Sequence, residues 1–372
     1  MLSAEAILFS KQPSATLRRF AALLEPMGDG ALEALAQESA LVTRRNFGRA
    51  MRLFAPLYLS NECINSCVYC GFSRENAIQR VTLVVEGVVR EARYLVAEGF
   101  RHVLLVAGEH PKFVSNGYLE RCIRALAPVV PALSLEVAPM EAVDYAPLVR
   151  AGAEGLVVFQ ETYDRTAYAA LHTAGPKKDF DWRLACPERA YEAGFRRIGL
   201  GALFGLCDWR AEAGALAAHL EYLMRHCWKA QFNVSLPRLR PCAGEFQPTH
   251  TLPDREFVQL LCALRVCFPH VGIVLSTRES AELRDSLLPL GITMMSAGSH
   301  TEPGGYTGEG RSDTHKTVAG RRVENEPSEA GKGATEQFEI ADTRSPAEVA
   351  QVLRERGFEA VWKDWDAAIL AP

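Results

Sequence analysis

The chain runs to 372 residues, 48% of them hydrophobic and 23% charged, so it can bury a large core and is long for one ordinary domain though usual for an α/β barrel. Its formal charge of −4, with basic residues scattered rather than clustered, gives no electrostatic reason to expect a nucleic-acid or membrane partner. No stretch approaches the ~18 uninterrupted apolar residues of a membrane span, and Met1 to Lys11 lacks the basic and apolar segments of a secretion signal, so the expected compartment is the cytoplasm, where thiols stay reduced.

Residues 1–50 read as a helical extension. Ser14 to Leu24 and Ala31 to Ala40 carry apolar residues at helical spacing, split by a break from Pro26 to Gly30. From residue 53 onward, short apolar runs alternate with longer amphipathic stretches. The runs are Leu53–Ser60, His102–Gly108, Leu133–Ala138, Gly155–Gln160, Arg197–Ala202, Gln231–Leu236, Gly272–Thr277 and Ile292–Ser296, eight in all. Between them lie helical patterns such as Val84–Glu98, Tyr118–Ala127 and Asp254–Cys267. Alternation of this kind implies parallel strands with helical crossovers, and near-continuous apolar strands imply a sheet covered on both faces. Eight units predict a closed (β/α)8 TIM-type barrel over 51–303; a doubly wound open sheet satisfies the same periodicity.

The pattern breaks at 304–335, a polar stretch rich in Gly, Ser, Thr, Glu and Arg, which reads as a flexible insertion. A C-terminal segment, 336–372, follows. In it Ser345, Pro346 and Glu348 mark a capped helix start, the helix ends near Gly357, and Phe358 to Trp365 is expected to pack back on the barrel.

The first strand delivers Cys63, Cys67 and Cys70 on one short loop, at spacing C-x3-C-x2-C. A structural zinc site wants four tetrahedral ligands, usually two separated pairs, and no second C-x2-C follows. Iron–sulfur clusters are held by thiolates; three local cysteines fill three corners of a 4Fe-4S cubane and leave one iron open to a small molecule. Zinc stays the alternative. The other seven cysteines (Cys122, Cys186, Cys207, Cys227, Cys242, Cys262 and Cys267) are spread singly and read as small core hydrophobes.

In such a barrel the functional residues sit at the C-terminal strand ends. Those ends carry Gly108, Glu109 and His110; Gln160, Glu161 and Tyr163; Gly199 and Gly201; Arg238 and Arg240; Arg278 and Glu279; Ser296 and Ser299. Polar or small residues punctuating apolar strands at one rim describe an active-site mouth.

The cysteine spacing, with Tyr69 just before the last cysteine, resembles the signature of the radical S-adenosylmethionine (SAM) superfamily. The match is wider than the loop. Leu57–Asn61, Cys63–Ser73, Leu105–His110, Gln160–Tyr163, Gly201–Gly205, Pro237–Pro241, Leu275–Glu279 and Ser296–Ser299 together resemble the aromatic-amino-acid lyases of that superfamily. The endings Phe338–Val349 and Val361–Trp365 are similar to the tyrosine lyases of thiamine thiazole synthesis, and the resemblance runs from about Phe54 to Asp364. A sister tyrosine lyase, which matures a hydrogenase cofactor, has further cysteines near its C-terminus for a second cluster; here none follows Cys267.

The resemblance implies a 4Fe-4S cluster on Cys63, Cys67 and Cys70, with SAM on the open iron. It implies backbone approach to SAM at Gly108 and Gly201, carboxylates at Glu109 and Glu161, a carboxylate fork from Arg183, and Tyr69 against the adenine. Arg278 would take the carboxylate of an amino-acid substrate, with Ser296 and Ser299 beside it. The implied reaction is cleavage of the Cα–Cβ bond of L-tyrosine to dehydroglycine and p-cresol. Thiazole synthase is the implied protein partner, and a flavodoxin or ferredoxin the implied reductant. Plainer readings exist for several residues. Gly199 and Gly201 could relieve crowding, Arg183 could be a solvated helix charge, and Arg278 a surface ion pair. His110 and His172 read as loop or surface histidines, and His315, inside the polar insertion, receives no role. Lysis of tryptophan, a step in deazaflavin synthesis, or a non-catalytic iron–sulfur scaffold fits the same pattern.

Overall fold

The computed structural model describes residues 13–326 and 331–362. Its centre is a closed barrel of parallel strands: β1 (Ala50–Ser60), β3 (His102–Ala107), β4 (Ala132–Glu136), β5 (Ala153–Glu161), β6 (Arg197–Ala202), β7 (Gln231–Ser235), β8 (Gly272–Leu275) and β9 (Met294–Ser296). The last strand returns to the first, with Arg52, Leu53 and Phe54 level with Met294, Met295 and Ser296. The eight expected runs are therefore the eight barrel strands, and the open sheet is excluded. Alternation along each strand divides the residues between two environments. In β1, Leu53, Ala55, Leu57 and Leu59 face the outer helices, while Phe54, Pro56 and Tyr58 line an internal cavity.

The helices between the strands follow the sequence pattern. They include α3 (Val85–Ala97), α4 (Asn116–Leu126), α5 (Ala142–Ala151), α6 (Arg165–Leu171), α7 (Phe180–Leu184), α8 (Cys186–Ala193), α9 (Trp209–His226), α10 (Asp254–Cys267) and α11 (Ala281–Leu287). The N-terminal helices α1 (Ala15–Leu24) and α2 (Asp29–Phe47) lie against the outside of the barrel, on α9 and α10. There Phe20 meets Phe268 edge-on at 6.1 Å, and the Gln259 amide donates to the Leu23 and Glu25 carbonyls, both at 2.8 Å, closing the open end of α1.

The C-terminal helix α12 (Pro346–Glu355) starts as its sequence requires, with reciprocal capping between Ser345 and Glu348 and a proline in the first turn. Strand β12 (Glu359–Val361) then pairs in parallel with the start of β1, and Trp362 meets Phe100 edge-on at 5.3 Å. The rest of the expected packing segment, 363–365, lies outside the described residues.

The stretch 304–335 carries secondary structure: β10 (His315–Val318) and β11 (Arg321–Val323) form an antiparallel hairpin that adds to β2 (Ile78–Arg80), placing Thr317 opposite Ile78 and His315 opposite Arg80. A turn with Ala319 at φ 47° and Gly320 at φ 71° joins the two strands. This small sheet lies against the cysteine loop.

Candidate active site

The register of β1 slips between Tyr58 and Ser60, and that of β5 slips between Phe159 and Glu161. Such bulges end pairing and re-aim the chain, and here they release the cysteine loop and Glu161. The loop is held from three sides. On the β3 side the Ile64 amide donates to the Glu109 carbonyl at 2.9 Å, and a Cβ on Gly108 would come within 2.3 Å of the Glu62 carbonyl oxygen, so that approach needs glycine. On the β5 side the Ser66 and Val68 amides donate to Ala174 and Leu171 at 3.0 and 3.1 Å. From the C-terminal segment the Gln337 carbonyl accepts from the Gly71 amide at 3.2 Å.

Beneath the loop lies Arg80, 1% exposed. Its guanidinium donates to the carbonyls of Asn61, Phe72 (3.0 Å) and Ser73 (2.7 Å), and to the Thr317 hydroxyl of β10 (2.6 Å). Nearby His315 meets Glu62 at 3.0 Å, so this histidine of the polar segment does have a structural role. Arg80→Met leaves three buried carbonyls without their donor. We expect a loss of about 2–3 kcal/mol and lower iron per chain after cluster reconstitution. Unchanged stability and iron content would remove Arg80 from the support of the loop.

The donor set suits a multi-iron cluster. Cys63 and Cys70 accept from the Asn65 and Gln337 amides at 3.7 and 3.8 Å. Burial pushes the Cys63 thiol up to about 11, with Glu109 and Cys70 adding to the effect; burial likewise raises Cys67 and Cys70, with Lys177 opposing. Thiols in this state need a cationic centre to become thiolates. All ten cysteines are free, and Cys242, through its contact with the Tyr69 carbonyl at 3.3 Å, lies beside the loop rather than in the core.

A charge network adjoins the loop. Glu161, at φ 72°, accepts from Lys177 at 2.6 Å and meets Arg183 at 3.5 Å. Glu109 accepts from Asn65 at 2.6 Å and from Arg183 at 3.2 Å. Burial alone would raise the Glu161 carboxyl, but Lys177 and Arg183 hold it below its usual range. Arg183 is thus buried in a network that already neutralises it, which corrects the solvated-charge reading. His172 is also buried, where a surface position was expected. Its Nδ1 faces the Tyr168 carbonyl at 2.8 Å, which fixes the proton there and leaves Nε2 to accept from the Tyr69 hydroxyl at 2.7 Å. Burial, then Lys177, depresses this histidine to about 3, so it stays neutral. Gly201 is required by packing alone: a Cβ there would meet the Phe159 ring at 2.3 Å and the Ser235 carbonyl oxygen at 2.8 Å.

The cavity runs from Tyr69, Cys70, Glu161 and Lys177 down the barrel past Tyr58, Glu136, Arg278, Ser296 and Ser299. The Arg278 guanidinium lies 3.4 Å from the Phe338 ring centroid and donates weakly to the Arg238 carbonyl at 3.5 Å. No carboxylate pairs with it among the described residues, so it is not a surface ion pair. Its neighbour Glu279 is taken by Arg238, at 3.0 Å. Ser296 Oγ accepts from the Thr277 amide at 3.1 Å, whereas Ser299 Oγ is buried without a hydrogen-bond partner among the described residues. Tyr58 donates to Gln337 at 2.7 Å. His110 packs on Phe113 and lies outside the cavity lining. Sequence reasoning missed Lys177, Glu136, Arg80 and Gln337. Only Glu136 had a signal, a lone carboxylate ending an apolar strand.

Residues 57–212 match the Radical SAM superfamily and residues 235–359 the Biotin and Thiamin Synthesis associated domain. The chain is 43% identical to the 2-iminoacetate synthase of Escherichia coli over 93% of its length and 86% of that protein, and 41% identical to that of Salmonella typhimurium over the same shares. Among solved structures, the FeFe-hydrogenase maturase HydG from Carboxydothermus hydrogenoformans superposes with a TM-score of 0.82 at 34% identity, covering 97% of this chain and 79% of that one. Methylornithine synthase (PylB), at 19% identity and TM-score 0.70, covers 99% of both chains and shares the fold.

Proposed function

This chain belongs to the 2-iminoacetate synthases of the radical SAM superfamily, and from that premise we propose that it cleaves the Cα–Cβ bond of L-tyrosine. The products are 2-iminoacetate (dehydroglycine), destined for the thiazole of thiamine, and p-cresol, with deoxyadenosine and methionine as by-products. Cys63, Cys67 and Cys70 would hold the 4Fe-4S cluster. When bound and reduced, cluster and SAM would supply one-electron chemistry able to take a hydrogen atom from the substrate's amino group.

The chain's own residues bind, orient and enclose. Glu109, Glu161, Arg183 and Lys177 form the charged cradle for SAM beside the loop; the Gly108 edge and Tyr69 border it. Gly199 lines the β6 side of the cavity without a side chain, and Gly201 makes room for the Phe159 ring that borders it. Arg278 receives the tyrosine carboxylate, with the Ser299 hydroxyl as a further donor and Ser296 fixing the β8 end. The observation that carries the reading is Arg278, a guanidinium lining the cavity with no carboxylate paired to it among the described residues, in the same cavity as Ser299 Oγ, which is also without a partner among them. An unpaired cation enclosed by protein is costly until an anion joins it.

Dehydroglycine hydrolyses readily in water, so delivery to thiazole synthase through a protein complex follows, as does a flavodoxin or ferredoxin as electron source. Among the described residues no helix is long and apolar enough to cross a membrane, and we place the reaction in the cytoplasm. The proposed division is a helical extension to residue 50, the catalytic barrel to 303, the 304–335 segment against the cluster loop, and a C-terminal segment that closes the rim.

The test is anaerobic turnover with reconstituted cluster, dithionite, SAM and tyrosine. We expect p-cresol and deoxyadenosine in step. Deoxyadenosine without p-cresol would overturn tyrosine as the substrate, and neither product from a cluster-replete sample would overturn catalysis.

A further inference from the structure

The cavity holds one carboxyl group that none of these roles uses. Glu136, the last residue of β4, is level with Val106 of β3, which is level with Tyr58 of β1, so the two side chains stand near each other on the barrel wall. Both line the cavity together with Arg278. Among the described residues no hydrogen bond or ion pair holds the Glu136 carboxyl; burial and the charges of Glu161, Arg278, Lys177 and Arg183 act on it. Of these, Lys177 and Arg183 are already paired to Glu161 and Glu109.

The Tyr58 hydroxyl is committed to Gln337, and among the described residues neither Ser296 Oγ, which accepts from the Thr277 amide, nor Ser299 Oγ bonds to Glu136. A carboxylate enclosed this way needs a cation, and among the described residues none is paired with it. Arg278 has the complementary need. Two opposite charges facing one cavity, each without a dedicated partner, match a ligand carrying both signs a few bonds apart.

We infer that Glu136 receives the α-ammonium group of the substrate, so that Arg278 and Glu136 together read a zwitterionic α-amino acid. The inference rests on Arg278 as the site of the substrate carboxylate. Burial, then the charge of Glu161, pushes the Glu136 carboxyl up to about 7, against Arg278, Lys177 and Arg183. An arriving ammonium is the cation that returns it to the ionised form.

Equilibrium binding to the reconstituted, unreduced enzyme tests this with two ligands: tyrosine, and desaminotyrosine, which keeps the phenol and carboxylate and lacks the amino group. In Glu136→Gln we expect tyrosine affinity to fall by about 10- to 100-fold, the scale of one charge-assisted hydrogen bond. Desaminotyrosine affinity should stay at its wild-type value, and iron content shows that the variant is intact. A parallel fall for both ligands would overturn the inference and make Glu136 a positioning group for Arg278; no change for either would also overturn it. Wild-type enzyme that binds neither ligand would overturn the tyrosine reading itself, an outcome separable from the other two.

Discussion

Replacing Cys67 by alanine removes p-cresol and deoxyadenosine together, with no residual uncoupled cleavage of SAM. Cys67 is the middle thiol of the loop, 4% exposed, and its backbone forms an isolated bridge with His172. Losing a supporting second partner of a metal centre costs about 10- to 100-fold; losing a ligand from a set of only three costs more, and turnover should fall below detection. The fold should survive, because deleting one buried sulfur costs roughly 1–2 kcal/mol. The measurement is iron and sulfide per chain beside product formation. Full cluster content with normal turnover would overturn the assignment of the ligands.

Asp342→Ala should be the most damaging change away from the cluster. Asp342 and Arg284 form an ion pair with both side chains fully buried. Arg284 also donates to the Ser296 carbonyl, and the Ala341 and Asp342 amides both donate to the Thr277 carbonyl, at 2.9 and 3.1 Å. The pair therefore pins the C-terminal segment to the ends of β8 and β9, where Arg278 and Ser296 stand. Removing one partner strands a buried guanidinium, at a cost of about 3–5 kcal/mol. Replacing both, as in Arg284→Met with Asp342→Leu, should cost less than the single change.

The pH dependence has a definite sign. Burial raises the Asp342 carboxyl, but the Arg344 hydrogen bond and the Arg284 charge more than offset this, and its folded-state value lies below the ordinary one. Its stabilisation is thus complete above the unfolded-state value of about 3.9 and disappears as pH falls through the lower folded value. Urea unfolding at neutral pH measures the loss; a midpoint equal to wild type would refute the role given to the pair.

The barrel was legible because parallel strands covered on both faces announce themselves as apolar runs; His102–Gly108 in the sequence is His102–Ala107 in the structure. The cysteine loop was legible from spacing, and Glu109, Glu161 and Arg183 do meet beside it. What stayed hidden depends on distance along the chain. The hairpin of β10 and β11 has no apolar periodicity, and it is held by pairing with β2, by His315 on Glu62 and by Thr317 on Arg80, 237 residues away. Lys177 lies in a short turn whose sequence says nothing about Glu161. Glu136 was swallowed by the strand that carries it. The histidines went wrong for the same reason: nothing local says that His172 will lie under Tyr69, or His315 beside Glu62.

The position of Gln337 sets a schedule for the molecule. Its carbonyl receives the Gly71 amide and its side chain touches Cys70, 267 residues earlier. On a ribosome the three thiols emerge early, while Gln337, and β9 that closes the barrel on β1, are still unmade. A nascent chain can hold these cysteines together only loosely. The metallocentre is accordingly a product of the finished polypeptide, and the delivery of iron and sulfide belongs after translation, when the last tenth of the chain has come back to the first strand.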